Sequence, residues 1–211
     1  MTGNQKQLIQ PFQASFALGS GPETRASLPF RRRHATLALC ALLFGFIISF
    51  GFNGLAEDAA TEYQIKAAFL FNFAKFVDWP PEAFSETNSP IVIGVLGKNV
   101  FGKDLENTIR DKTVNNRHFE FVTVTSAKEA VRCHILFISP SEKDNLKKIV
   151  DSLHNASVLT VSETDEFIKA GGMVNFVIQE DKVRFQISDD AAKKAGLRIS
   201  SKLLSLAARN R

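Results

Sequence analysis

Beyond residue 56 the chain carries one cysteine, Cys133; its other cysteine is Cys40. One thiol excludes an internal disulfide framework, so that part has to be held by its hydrophobic core. Metal-ligand spacing is missing as well. His118, His134 and His154 are scattered, and His34 sits in a different kind of segment. There is no Gly-x-Ser-x-Gly turn to raise a nucleophilic serine, and no internal repeat. Nothing calls for a metal or a cofactor, and no catalytic constellation stands out. A charge excess is lacking too: residues 57–211 hold 21 Lys+Arg and 21 Asp+Glu, a net charge of zero. The whole-chain value of +4 comes from Lys6, Arg25, Arg31, Arg32 and Arg33 against Glu23. A basic stripe for nucleic acid is therefore excluded from the folded part.

What is present is a triplet, Arg31-Arg32-Arg33, followed by a run from Ala35 to Ala56 with no charged residue. A basic cluster stays on the cytoplasmic side of a membrane, and an apolar run of this length enters the translocon. Gly54 and Ala56 are small residues of the kind a signal peptidase accepts, which places cleavage after Ala56. The same run is long enough to serve as a retained inner-membrane anchor. Either way residues 57–211 lie outside the cytoplasm. The first 30 residues are polar and rich in Gln, Gly, Ser and Pro, the composition of a disordered segment. The expected organisation is thus residues 1–56 as a disordered N-terminus plus signal peptide or anchor, and residues 57–211 as one domain.

Periodicity predicts a helix over 60–79, ended by Pro80-Pro81. Its polar face carries Gln64, Asn72, Lys75 and Asp78, and Phe71 falls beside them. An exposed aromatic there reads as a partner contact, unless another element covers that face. Ile91–Leu96 and His134–Ile138 are short continuous apolar runs, as in strands buried on both faces. Further strands are expected at 118–124 and 158–161, and helices at 100–111, after Ser126, after Ser139 or Ser141, and from Ser162 to Gly171. Residues 173–179 and 182–187 form an antiparallel hairpin around Glu180-Asp181. Ser188 caps a helix closing at Gly196, and a last helix carries Leu203 and Leu206. Alternating strands and helices give an α/β fold: a single domain with a mostly parallel mixed β-sheet flanked by helices and a C-terminal antiparallel hairpin.

Gly97-Lys-Asn-Val-Phe-Gly102-Lys103-Asp104 follows a strand and opens a helix, the context of a phosphate-binding loop. Its last position fails, because Asp104 stands where a magnesium-binding hydroxyl belongs. A small-anion site and a plain strand-to-helix turn are the alternatives, and the former supports a periplasmic small-ligand-binding module. Cys133 precedes a buried strand and reads as a core cysteine.

Three stretches carry a resemblance: Tyr63-Gln-Ile-Lys-Ala-Ala-Phe-Leu-Phe-Asn-Phe-Ala-Lys-Phe-Val-Asp-Trp-Pro80; Cys133-His-Ile-Leu-Phe-Ile138; and Gly171-Gly-Met-Val-Asn-Phe176 with Val183-Arg-Phe-Gln-Ile187 and Gly196-Leu-Arg-Ile-Ser-Ser-Lys-Leu-Leu204. In order and spacing they resemble the YfiR-like family over residues 60–208. The resemblance implies a non-enzymatic periplasmic repressor that binds the sensor domain of an inner-membrane diguanylate cyclase, or by extension a histidine kinase. Such a repressor lowers cyclic di-GMP and biofilm formation. It further implies sequestration by an outer-membrane lipoprotein, and self-association as a homodimer. Partner contacts are implied near the C-terminal hairpin and helices, at Arg184, Gln186 and Leu197 here. The family's disulfide switch would fall on Cys133, whose intramolecular partner is absent, so redox control would need a bridge between chains.

Overall fold

Runs of Ile and Val with no polar interruption cannot face water on either side, and they form the middle of the molecule. A computed structural model describes residues 54–208, with side chains from residue 61. Arg31–Arg33 and most of the apolar run, and with them the signal-or-anchor question, lie outside the described residues. No described helix is long and apolar enough to cross a membrane.

The chain enters through α1 (Gly54–Phe76) and a short strand, β1 (Val77–Asp78). Next come β2 (Ile91–Leu96), α2 (Asp104–Ile109), β3 (Thr113–Val114) and β4 (Arg117–Val124). Then follow α3 (Ala127–Ala130), β5 (Ile135–Ile138), a 3-10 turn at Pro140–Asn145 and α4 (Leu146–Leu153). The last part is β6 (Leu159–Ser162), β7 (Val174–Gln179), β8 (Lys182–Ile187), α5 (Asp189–Lys194), β9 (Arg198–Ile199) and α6 (Ser201–Leu206).

Seven strands form one curled sheet in the order β3-β4-β2-β5-β6-β7-β8. The run from β4 to β7 is parallel, and β3 and β8 pair antiparallel at its two ends. The expected mixed α/β fold is therefore the observed one. Pleating sends Ile91, Ile93 and Val95 to the face covered by α1, α2, α5 and α6, and Leu96 to the face covered by α3 and α4. Gly94 points to the second face. A Cβ there would lie 2.5 Å from the Cys133 sulfur, so only glycine lets that thiol pack against the strand.

Three elements differ from expectation. The first helix stops at Phe76 rather than at the prolines, because Val77 and Asp78 pair with β9 in a separate two-stranded sheet. The Phe76 carbonyl, left over by the helix end, accepts the Ser200 N–H at 2.9 Å. The expected helix from Ser162 to Gly171 is a series of turns, since Glu166 adopts φ 66° and breaks any right-handed helix. Finally, β3 was not expected; it is two residues long and has no period to read.

Trp79 to Pro90 is tied to the sheet by His134. The Trp79 indole N–H donates to the His134 carbonyl at 3.2 Å, and His134 Nδ1 accepts the Val92 N–H at 3.0 Å. With Nδ1 accepting, Nε2 carries the proton and donates to the Ala83 carbonyl at 3.1 Å. Phe84 stacks on the imidazole at 4.4 Å, and the Arg117 guanidinium covers Phe84 at 3.7 Å.

Candidate functional site

On α1, Lys66 falls in line with Leu70 and Phe73, both of which are buried. A lysine in an apolar stripe needs a partner, because an unpaired buried ammonium is too costly. Lys66 has two. Its Nζ engages Glu62, one turn earlier on α1, and Glu163, which directly follows β6. Tyr63 OH donates to the other Glu163 oxygen at 2.9 Å. The Lys66 side chain is 4% exposed, Glu163 10% and Glu62 35%. The ammonium also lies 4.7 Å from the Tyr63 ring centroid. Burial first, and then the bond to Glu163 and the negative charges of Glu163 and Glu62, push the Tyr63 phenol far above its usual range. Tyr63 is therefore a fixed donor. Two carboxylates against one ammonium leave the cluster with one uncompensated negative charge.

Beside this cluster, α1 and the tip of the β7–β8 hairpin diverge. Ile65 and Phe69 on one side and Ile178 and Val183 on the other wall a hollow of about 540 Å³. A second hollow, of about 560 Å³, lies over the ionic cluster and shares Glu62 and Ile178 with the first. Ile65 is 42% exposed and Ile178 53%, two of the four large exposed apolar residues among the described ones. Apolar side chains gathered in one concavity are the usual mark of a contact surface.

The residues singled out from sequence fall elsewhere. Phe71 is not exposed: it is 9% accessible, packs on Phe119 at 5.4 Å, and is covered by the Lys75 and Lys112 ammoniums at 4.3 and 4.6 Å. The helix period placed it correctly, but β4 and the segment after α2 occupy that side. Leu197 is 1% accessible and belongs to the core under α1, so its side chain is not on the surface where it was expected. Arg184 is exposed and Gln186 half-buried. Both alternate with Phe185, which faces α1, and so lie on the other face of β8, away from the groove. Cys133 is buried between Gly94 and Leu136, and burial pushes its thiol up to about 11. A bridge through it needs local opening, because neither access nor thiolate is available at neutral pH.

The glycine loop is an ordinary turn. The Lys98 N–H donates to Ser141 Oγ at 2.9 Å, the Phe101 N–H to Asn99 Oδ1 at 3.0 Å, and the Asp104 N–H to the Phe101 carbonyl at 2.9 Å. A Cβ at Gly97 (φ 88°) would lie 2.4 Å from Ser141 Oγ. The chain reverses direction across the sheet between β2 and β5, where ligands commonly enter open α/β sheets. Here Ser141 lies against the Gly97 turn and accepts the Lys98 amide. Among the described residues no group of His, Cys, Asp and Glu is placed to hold a metal ion.

Glu62, Tyr63, Lys66 and Glu163 were the residues missed from sequence. The available signal was Lys66 within the buried stripe; Glu163, 97 residues away, had none. A family model described as YfiR/HmsC-like matches residues 63–208. Among solved structures, a conserved domain protein from Vibrio cholerae O1 biovar El Tor str. N16961 is 10% identical with a TM-score of 0.43. That match covers 56% of this chain and 53% of the other, about half the length of each.

Proposed function

Since the chain belongs to the YfiR/HmsC-like family, whose members are regulators in cyclic di-GMP signalling, we propose that it is a periplasmic repressor of a membrane-bound diguanylate cyclase. The observation that carries this reading is the family match across residues 63–208, nearly the whole of the described fold. The Arg31–Arg33 triplet and the apolar run after it support export. The groove between α1 and the hairpin supplies a surface for docking.

The mechanism is a shift of populations. The protein binds the inactive form of the cyclase's periplasmic sensor domain better than the active form, and the bias crosses the membrane through the cyclase's own helices. Non-catalytic action fits this scheme, since only differential binding is required. The ligand-module alternative gains no support from the Gly97–Gly102 loop, where the Lys98 and Phe101 amides already donate to Ser141 and Asn99.

Deleting the gene and measuring cyclic di-GMP tests the reading. A rise in the nucleotide and in biofilm mass, reversed by the wild-type gene, is the expected result. An unchanged level under biofilm-forming conditions would refute repression.

A further inference from the structure

We propose that the double hollow beside α1 receives a partner segment in which apolar side chains are flanked by lysine or arginine, and that unpaired carboxylates around it select the basic residue. This rests on the reading above only in that the occupant is a protein.

Four carboxylates, Glu62, Glu163, Asp165 and Asp181, and two ammoniums, Lys66 and Lys182, line the two hollows. Glu163 is saturated, one oxygen taking Tyr63 OH and the other Lys66. Glu62 spends one oxygen on Lys66 and keeps about a third of its side chain open. Asp165 and Asp181 are exposed and make no ion pair among the described residues. Lys182 makes no ion pair among the described residues either, so the four carboxylates outweigh the two ammoniums by two negative charges around apolar walls of Ile65, Phe69 and Ile178, although residues 57–211 as a whole are neutral. An acidic occupant would be repelled. An uncharged apolar one would desolvate Glu62 without offering a donor. A segment bearing a cation next to apolar residues satisfies both requirements, with the cation setting partner choice and the apolar floor the affinity.

The test uses two synthetic octapeptides, one alternating leucine with lysine and one alternating leucine with glutamate, titrated into the purified protein by fluorescence anisotropy. The lysine peptide is expected to bind about tenfold or more tightly than the glutamate peptide. Asp165→Lys with Asp181→Lys should reverse that preference; both residues are exposed and lie outside the buried cluster, and because Asp181 holds a left-handed turn (φ 55°) the variant's far-UV circular dichroism is matched to wild type before titration. Ile65→Glu with Ile178→Glu should abolish binding of the lysine peptide. Equal affinity for the two peptides, or binding indifferent to both variants, overturns the proposal. So does sedimentation showing that Ile65→Glu with Ile178→Glu splits a dimer without weakening the lysine peptide, because the occupant would then be a second copy of the chain. The same variants returned to the deletion strain separate the two readings. If deletion raises cyclic di-GMP and both variants restore it fully, the groove is not the docking site but repression stands. If deletion changes nothing, repression fails while the peptide titration still decides the groove.

Discussion

At the scale of single residues, His134 is a base that the fold keeps neutral. Burial, and to a lesser extent the positive charge of Arg117, lower its pKa, against the upward pull of its bond to the Ala83 carbonyl. A proton on Nδ1 would also break the bond from the Val92 N–H. The unfolded chain therefore binds this proton more readily than the folded one, so stability rises with pH through the window between the two pKa values. The contribution is complete above about pH 6.5, the ordinary histidine value, and is lost as pH falls from there through the folded pKa. Urea unfolding of wild type and His134→Gln should show a stability gap that is wider near pH 7.5 than near pH 5. A gap constant across that range would mean that His134 is not the titrating group. Cys133, by contrast, was read correctly from sequence as a core residue, because it directly precedes an apolar run. For Phe71 the covered alternative holds rather than the partner contact, because a helix period shows which way a side chain points and not what lies in its path.

At the scale of elements, the tie between α1 and the end of β6 is ionic in an otherwise apolar seam. Lys66→Met leaves Glu163 buried without its cation, and such a break costs about 3–5 kcal/mol. Adding Glu163→Leu removes the stranded charge, and the double variant should recover most of the loss. Chemical denaturation of wild type and the two variants checks this; a double variant as unstable as Lys66→Met would show that the charge is not the cause. Strands β2, β5 and β8 were legible because uninterrupted or alternating apolar runs have few other solutions. The β1–β9 pair was not, since two-residue strands are defined by distant hydrogen bonds and leave no pattern. The ionic cluster was legible by half: Lys66 stands out within the apolar stripe, but nothing in the local sequence points to Glu163. The turns after Ser162 misled because serine followed by acidic residues resembles a helix start, whereas Glu166 goes left-handed.

At the scale of the whole molecule, Ser141 stands beside the Gly97 turn at the sheet's reversal point and bonds the Lys98 amide, so attention turns to the surfaces. The edges of the seven-stranded sheet are among those surfaces. From Phe119 to Val124, β4 runs on past β3 without a second neighbour among the described residues, and the exposed Glu120 is the charge along it. Charged side chains on an open edge discourage pairing with other chains. Glu120→Val should therefore raise self-association in light scattering at high protein concentration, while leaving the thermal midpoint nearly unchanged; a variant as monodisperse as wild type would show the edge to be protected otherwise. The opposite edge is guarded differently: the Ala208 N–H donates to the Phe185 carbonyl of β8 at 2.7 Å. That one bond makes the last described residues a backbone clip on the strand whose tip walls the groove. Ala208→Pro would remove that donor and leave the Phe185 carbonyl of an edge strand open to water or to another chain's backbone.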